Sequence, residues 1–529
     1  MTFTTRSPRG SRLLAGCVAL GLVVTACGGD DDSAEAPAET EAPAETEAPA
    51  ETEAPAETEA PAETEAPAET EAPAETEAPA ETEAPVETEA AADGVLNVPD
   101  DYATIQEAVD VAAPGDLILV APGTYNEAVN VVTDEITIRG LDRNEVILDG
   151  EFELDNGIRV LGANGVVIEN MTAINYAFNG FFWLEADGYR GSYLTAYRNG
   201  DYGIYGFDSI NGLLEHSYGA GSPDAGFYIG QCYPCTTVLD NVWSEHNGLG
   251  YSGTDSGGEM YVINSQFNNN RSGIVPNSGS YELCYPERET TLIGNVVFSN
   301  SQADTPAIEN ALLAHGTGIT PAGGVANTIE RNLVYDHERV GIAIAPFPEG
   351  NPNDVVPPEE DWAKPCDENR QRELTTPDPA DLLFEEFLVW DPQDNIIRDN
   401  VISESGQADI GYGAGVTLDA GDPAALAELG NCFSGNTFET SQPNNIEALA
   451  PCDGEPMTEG WGDNPLDLIQ LFTYEAPEPV DYKDASLPDI PLLDGMEDPE
   501  NAPAVPAVGS PEIPDTDSIT VPEGPIYER

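Results

Sequence analysis

The sequence predicts an all-β solenoid, a parallel β-helix with coils of about 20–25 residues and a short N-terminal capping helix. Short apolar runs alternate with Asn-containing turns and recur along the chain, as in 262–274. The anchoring residue of each turn is an Asn, or a Ser in its place, at 170, 192, 217, 241, 264, 295, 332, 400 and 436. The first gaps between these anchors are 22, 25, 24 and 23 residues. Repeats of this length cannot bury their apolar face alone, so they stack on one another.

The turn residues fit this interpretation. Asn tolerates the left-handed backbone region and bonds readily to its own backbone, which suits a tight corner between strands. In stacked coils, equivalent Asn side chains lie one above the other. We therefore expect their amides to form a ladder along the solenoid.

A targeting segment is predicted over residues 1–27. Three Arg residues precede the apolar run 13–24, which is shorter than the roughly 20 residues that span a bilayer. The run ends in Val-Thr-Ala-Cys at 24–27, which resembles the lipobox of bacterial lipoproteins. That resemblance implies lipidation of Cys27 and contact with the membrane through a lipid anchor only.

Residues 28–94 are predicted to be a disordered tether. The phrase Glu-Thr-Glu-Ala-Pro-Ala repeats through this stretch, and its regular Pro residues block a helix while its like charges repel. We expect a semi-extended spacer that holds a folded domain away from the membrane. The β-helix is expected over 95–440, and an acidic, Pro-rich tail over 441–529 is expected to fold back along the coils.

The start of the folded part has a specific pattern. Residues 104–107 fit a capping box, 114–116 end the predicted helix, and 117–120 form the first strand. With Val-Ala-Pro-Gly-Thr-Tyr-Asn-Glu at 120–127, this opening resembles right-handed β-helix proteins of the pectin-lyase-like superfamily. The Asn-rich coils that follow are similar to the repeat region of NosD-like proteins. The resemblance implies right-handed coils, and it specifies fold better than function.

The net charge of −79 at pH 7 narrows the range of partners. Such a surface repels the phosphates of nucleic acids and anionic lipid headgroups. It also disfavours polyuronates unless cations bridge the two. We therefore expect no nucleic-acid partner, and we keep a polysaccharide or cell-wall glycan as the candidate partner.

The sequence shows no evident cofactor, although it leaves a bound divalent cation open. We expect the protein to be a monomer.

Six Cys residues remain outside the targeting segment. An even number in an extracytoplasmic chain indicates disulfides rather than a redox or zinc site. We favour a bond between Cys432 and Cys452. Either Cys232 or Cys235 is then expected to join Cys284, or the two to join each other, and Cys366 takes whatever remains.

Aromatic residues concentrate in 176–261, where exposed rings would suit stacking against sugars. Trp183, Tyr205 and Tyr228 are the candidates for ligand binding. Several aromatics in this region alternate at strand spacing, so they also fit ring stacks inside the coils. The sequence leaves both interpretations open.

Three residues are candidates for catalysis. A coil of 24 residues would stack His216 on Asp240, so that the carboxylate orients the imidazole or helps to hold a metal. Arg271 occupies a coil turn and could serve as the base of a lyase. Turn residues that satisfy backbone groups explain the same three positions, because carboxylates are abundant in this chain.

Three functions compete. The motifs of polygalacturonases are absent, and 123–127 matches only the structural opening of pectin methylesterases. We therefore favour an extracytoplasmic, lipid-anchored cell-surface protein whose β-helix binds a ligand, with glycan preferred and no evident catalysis. The alternatives are a polysaccharide lyase or glycoside hydrolase of an unrecognised family, and a NosD-like accessory protein for a metal or cofactor. Missing soft ligands weigh against the last.

Overall fold

The computed structural model describes residues 94–350 and 387–529, and it confirms the predicted right-handed parallel β-helix. Each coil contributes strands to three faces, and all pairing within the faces is parallel. Equivalent residues lie 23 to 25 positions apart in the coils from Val167 to Tyr261. An inserted loop lengthens the next coil to 30, from Tyr261 to Thr291.

The faces are defined by their strands in chain order. Face 1 comprises Val95–Val98, Leu117–Val120, Thr137–Gly140, the first parts of Val166–Ile174 and Asp187–Tyr197, Ile210–Glu215, Thr237–Asp240, Gly257–Ile263, Arg288–Ile293, Thr328–Glu330, Ile396–Arg398 and Cys432–Ser434. Face 2 comprises Gly123–Tyr125, Val146–Asp149, the second parts of Val166–Ile174 and Asp187–Tyr197, Tyr218–Ala220, Trp243–Glu245, Gln266–Asn268, Val296–Phe298, Leu333–His337 and Val401–Ser405. Face 3 comprises Val129–Val131, Ile158–Leu161, Phe181–Leu184, Ile204–Phe207, Ala225–Gly230, Leu249–Thr254, Ser272–Asn277, Val340–Ile344, Ala408–Tyr412 and Ser441–Gln442.

Short helices and one hairpin complete the described part. The α-helices are Ile105–Val111, Glu309–Leu313, Val416–Ala420, Ile446–Leu449 and Leu468–Phe472, and the 3₁₀ helices are Pro423–Leu429 and Thr516–Ser518. The antiparallel hairpin pairs Phe347–Gly350 with Phe387–Trp390. No helix in the two described ranges is both long and apolar enough to cross a membrane.

The N-terminal helix caps the solenoid as predicted. Thr104 accepts a hydrogen bond from the Glu107 amide, and the Glu107 carboxylate accepts one from the Ala103 amide, so the two ends of a capping box are in place. Ile105 and Val109 are buried against the first coil. The helix thereby covers the open end of the apolar core.

Asn side chains form ladders at the corners between faces. Between faces 1 and 2, the Asn332 amide group donates to the Asn400 side-chain oxygen at 3.0 Å and to the Leu292 carbonyl at 2.9 Å. Asn295 bonds to Asn332, and Asn400 to Asn436, in the same way. Similar ladders run between faces 2 and 3 and between faces 3 and 1. Each buried amide thus finds both its donor and its acceptor partner in the neighbouring coils.

Not every predicted anchor belongs to a ladder. Asn170, Asn241 and Asn264 lie one residue before the ladder, at a corner position with positive φ. Asn264 donates to the Asp240 side chain at 2.9 Å, whereas the backbone amide of Ser265, the next residue, donates to Asn295 of the ladder. Two adjacent turn positions favour Asn for different reasons, and spacing alone did not distinguish them.

The recurring Gly-Ile phrase has a steric cause. A β-carbon on Gly273 would lie 2.5 Å from the carbonyl oxygen of Gly318 in the next coil. The next residue, Ile274, is fully buried in the core. Glycine is therefore required where the chain turns onto face 3 and the coils approach most closely.

The C-terminal segment, residues 474–529, runs back along the coils and covers faces 1 and 2. Ile519 packs against Ile263 and Ile293 on face 1, while Leu493 and Tyr527 pack on the aromatic residues of face 2. The segment is rich in Pro, which lacks an amide donor, and it adds no strand to the sheets. Arginines of the coils instead donate to its carbonyls. They are Arg139, Arg143, Arg198, Arg271 and Arg331.

Disulfides join two pairs of Cys residues, Cys232 with Cys235 and Cys432 with Cys452. The second pair is the one that the sequence favoured, and the first resolves one of its alternatives. Cys284 is also disulfide-bonded. The predicted targeting segment with Cys27, the tether and Cys366 lie outside the described residues.

We predict that Asn332→Ala lowers the free energy of unfolding by about 3 kcal/mol, because it leaves the Leu292 carbonyl and the Asn295 amide without partners in a buried ladder. Urea titration would measure the change. The matched control is Asn264→Gly, which keeps a residue suited to positive φ and should change the value by no more than about 0.5 kcal/mol. Equal effects of the two substitutions would contradict the ladder as the stabilising element.

Candidate functional site

Face 3 carries a row of outward-facing aromatic side chains in strand register. Phe182 pairs with Tyr205, and Tyr205 pairs with Tyr228 in the next coil. The rings of Phe182 and Tyr205 stack with centroids 4.4 Å apart and planes 12° apart. Tyr202 and Phe207 add ring contacts to Tyr205 at 4.3 and 5.7 Å. These five residues are called the aromatic row.

Strand alternation explains which residues enter this row. In Phe181–Leu184 the side chains of Phe181 and Trp183 point into the core, and Phe182 points outward. Trp183 is fully buried and packs on Tyr189. The prediction that Trp183 binds ligand is therefore wrong, and its neighbour Phe182 takes the exposed place.

The aromatic row becomes more enclosed towards the C-terminal coils. Phe182, Tyr205 and Phe207 are half-buried, whereas Tyr228 is 2% exposed. The chain from Ala307 to Ala314 packs over Tyr228, and the loop after Ser272–Asn277 reaches it with Glu282. The row thus forms a groove that is open at Phe182 and roofed at Tyr228.

Carboxylates line the roofed end of the groove. The Tyr228 hydroxyl donates to Glu282 Oε1 at 2.6 Å, and burial raises the pKa of Glu282 to about 8. Burial, with a smaller contribution from nearby Asp201, also raises the pKa of Asp224 to about 8. Asp208 has its pKa raised to about 7, by burial and then by Glu185. These side chains therefore hold protons near neutral pH and can both donate and accept hydrogen bonds.

Two buried oxygens near this end lack a hydrogen-bond partner among the described residues. They belong to Glu282 and Asp255. Burial raises the pKa of Asp255 well above its usual value, and Glu282 adds to the shift. Sequence reasoning missed Asp224 and Glu282, although Asp201 and Asp224 are one coil apart and each precedes a corner glycine by two residues.

Of the predicted ligand-binding residues, Tyr205 lies in the open part of the groove, whereas Tyr228 is buried at its roofed end. The predicted catalytic residues lie outside the groove. His216 lies at the corner between faces 1 and 2, and the residue in register with Asp240 is Glu215. The coil is 25 residues long at this point, so His216 stands over Asn241 and the predicted stack of His216 on Asp240 is not formed. The His216 ring stacks instead on Tyr193 of the preceding coil, at 4.8 Å.

Arg271 holds the C-terminal segment in place. Its buried guanidinium donates to the carbonyls of Thr305, Ala303 and Pro477 at 2.6–3.2 Å. With its donors bound to carbonyls, the side chain is unsuited to take a proton from a substrate. The role of a lyase base is therefore withdrawn for Arg271.

A metal site remains an expectation from the sequence. Across 94–350 and 387–529, no three His, Cys, Asp or Glu side chains are grouped so that they could hold a metal ion. The carboxylates of the groove are interleaved with Tyr side chains, which suits protonated acids better than a cation.

Comparisons with known proteins return matches among solved structures only. No protein family matches the chain, and no curated protein matches it. The A-module of the mannuronan C-5 epimerase AlgE4 from Azotobacter vinelandii is 14% identical, with a TM-score of 0.40 over 66% of this chain and 93% of that one.

Two further structures match at similar levels. An alginate lyase from Paenibacillus sp. is 16% identical, with a TM-score of 0.33 over 47% of this chain and 90% of that one. The periplasmic alginate epimerase AlgG is 13% identical, with a TM-score of 0.33 over 60% and 80%. Identities and TM-scores this low support no conclusion about activity or substrate.

We predict that Arg271→Ala lowers the free energy of unfolding by about 3 kcal/mol, because buried carbonyls of two segments lose their donor. Limited proteolysis should then cut the C-terminal segment faster than in the wild type. Arg159→Ala is the control, since the side-chain hydrogen bonds of Arg159 go to the side chain of Asn130 at the surface and not to the C-terminal segment. A stable, protease-resistant Arg271→Ala variant would contradict this role.

We predict that stability falls as pH rises from 5 to 8.5 and that Asp224→Asn reduces this fall. The pKa of folded Asp224, about 8, lies above the ~3.9 of an unfolded Asp, so its stabilisation is complete below about pH 4 and is lost as pH rises through 8. Melting temperatures across the range measure it. The exposed Asp155→Asn variant serves as the control and should follow the wild-type curve.

Proposed function

We propose that this protein binds a neutral polysaccharide along the open part of face 3, outside the cytoplasm and without cleaving it. The observation that carries the proposal is the stacked, partly exposed pair of Phe182 and Tyr205 on adjacent coils. A row of ring faces along the solenoid axis offers successive contacts to the residues of a polymer. Sugar rings present apolar faces to such rings and hydroxyl groups to polar side chains around them.

The path of the C-terminal segment supports the choice of face. It covers faces 1 and 2, and no ring contact or hydrogen bond in the described ranges joins it to Phe182 or Tyr205. The open half of face 3 is thus a broad sheet surface that retains exposed aromatic rings. Partly exposed rings leave apolar surface in contact with water, which is unfavourable. A ligand that covers the rings would remove this surface from water and gain free energy.

Electrostatics favour a neutral ligand. The chain carries a net charge of −79, and the carboxyl groups of Asp208 and Asp224 line the groove. At neutral pH Asp224 is largely protonated and Asp208 is partly protonated, which suits hydroxyl groups, whereas at higher pH both ionise and repel anionic sugars. The disulfides support an oxidising, extracytoplasmic compartment. Lipid anchoring through Cys27 remains a prediction from the sequence.

Cleavage is the second candidate function. Glu282 holds a proton next to Tyr228 at the roofed end of the groove, as a general acid would. A lyase or a hydrolase also needs an ionised base close to the same sugar, and burial raises the pKa of both carboxyls that interact with Glu282, Asp224 to about 8 and Asp255 well above its usual value. Binding without cleavage is therefore preferred.

We predict that Tyr205→Ala and Phe182→Ala each weaken binding of neutral oligosaccharides about tenfold, because each removes one stacked ring. A glycan array would identify the ligand, and calorimetry would measure its affinity. Tyr335→Ala is the matched control, since Tyr335 forms an equally regular stacked pair with Phe298 on face 2, at 4.9 Å and 4°.

Three outcomes would contradict the proposal. Binding of acidic glycans alone would exclude the neutral ligand, and equal loss in Tyr335→Ala would exclude the groove. Release of reducing ends or unsaturated products, abolished by Glu282→Gln, would replace binding by cleavage.

A further inference from the structure

A cavity of about 230 Å³ lies between face 2 and the C-terminal segment, away from the aromatic row. Its walls include Tyr193, His216, Tyr218 and Trp243 from the coils, and Tyr527 closes it from the C-terminal side. Protein interiors rarely leave spaces larger than a water molecule, which fills about 30 Å³. The C-terminal segment therefore crosses this part of face 2 without filling it.

At the cavity, the corner between faces 1 and 2 carries residue types that differ from those of the other coils. The same corner position has positive φ in nine successive coils, and seven of these coils place Asn, Asp, Gly or Arg there. They are Asn170, Asn241, Asn264, Gly294, Arg331, Asp399 and Gly435. The two remaining coils carry Tyr193 and His216, with φ of 53° and 49°. Tyr is disfavoured in this backbone region, whereas His is tolerated there, and residues such as Tyr193 that are held there against preference cluster at functional sites.

These two rings face the cavity with unused polar groups. They stack on each other at 4.8 Å, and both remain half-buried. Neither the Tyr193 hydroxyl nor the His216 imidazole makes a hydrogen bond to another described residue, so both are available to a ligand.

The remaining walls define the chemistry of the ligand. Trp243 and Tyr527 stack at 5.3 Å, and Tyr218 meets Trp243 edge-on. The guanidinium of Arg143 is already bound to Thr195, to Leu194 and to the Asp494 carbonyl, so it offers little to an anion. The acidic residues Asp494 and Glu528 also line the cavity, so it disfavours an anion. A cavity of aromatic faces, polar tips and acidic residues therefore suits a neutral ring with hydroxyl groups at its edge.

We propose that this cavity is a second sugar-binding site, which takes a single neutral sugar residue against Tyr193 and His216. The space is below the roughly 300–1,000 Å³ of sites for larger ligands, so one residue fits and a polymer does not. The site goes beyond the proposed groove, because it lies on another face and shares no side chain with the aromatic row.

The test uses the full chain and saturation-transfer NMR with glucose, galactose and mannose, and with glucuronate and choline as charged probes. Tyr193→Asn and His216→Asn install the residue that other coils use at this corner, so both variants should fold and keep their melting temperature. We expect at least tenfold weaker binding of a neutral sugar in each. Tyr335→Ala, which removes a stacked ring on face 2 outside the cavity, should leave this binding unchanged, and Tyr205→Ala reports on binding in the groove.

The possible results separate the two sites. Binding that survives in both Asn variants, or that fails for all three neutral sugars in the wild type, overturns the cavity site. Preference for glucuronate or choline overturns the neutral class. Loss in Tyr205→Ala alone assigns the sugar to the groove, which overturns the cavity site and leaves the proposed function standing. A large fall in melting temperature in both Asn variants would show that the two rings stabilise the fold, and it would also overturn the cavity site.

Discussion

The structure depends on hydrogen bonding between one coil and the next. The strands of the three faces are paired along the solenoid axis, and at the corners, where the backbone turns away from its neighbours, Asn amides continue the same pairing. Because the sheets and ladders join each coil to its neighbours in the stack, a repeat has no stable structure alone. The close approach that this stacking requires also explains why Gly273 cannot carry a side chain. Turn chemistry, strand register and core packing are thus consequences of one constraint.

The C-terminal segment shields the outer surface of two faces of the solenoid. It covers apolar and aromatic patches on faces 1 and 2, yet its Pro content prevents it from joining a sheet. Arg271 and the other coil arginines supply donors that its carbonyls would otherwise lack. This arrangement uses a large part of the small number of basic residues in a very acidic chain. Most arginines of the coils are therefore engaged with backbone carbonyls, including Arg271, which the sequence offered as a lyase base.

The C-terminal segment covers faces 1 and 2 and leaves Phe182 and Tyr205 on face 3 partly exposed. The aromatic row and the cavity beneath the C-terminal segment both combine ring faces with polar groups, although they lie on different sides of the solenoid. In the groove, burial keeps protons on Asp224 and Glu282 near neutral pH, whereas the acidic residues Asp494 and Glu528 line the cavity. The net charge of −79 makes the surface as a whole unfavourable for anions.

The sequence by itself determined the β-helix, its N-terminal cap, the Cys432–Cys452 bond and the aromatic-rich coils, because these features depend on local repeats and short-range chemistry. Tertiary structure decided which member of an alternating pair faces outward, so that Phe182 and not Trp183 enters the groove. A coil longer by one residue placed Asp240 beside Glu215 and not His216. The functions of Arg271 and Glu282 were also decided there, since both depend on loops and a C-terminal segment without periodicity. Strand register and long-range contacts cannot be read from a repeat pattern in the sequence. They nevertheless decide which side chains face outward and which are buried.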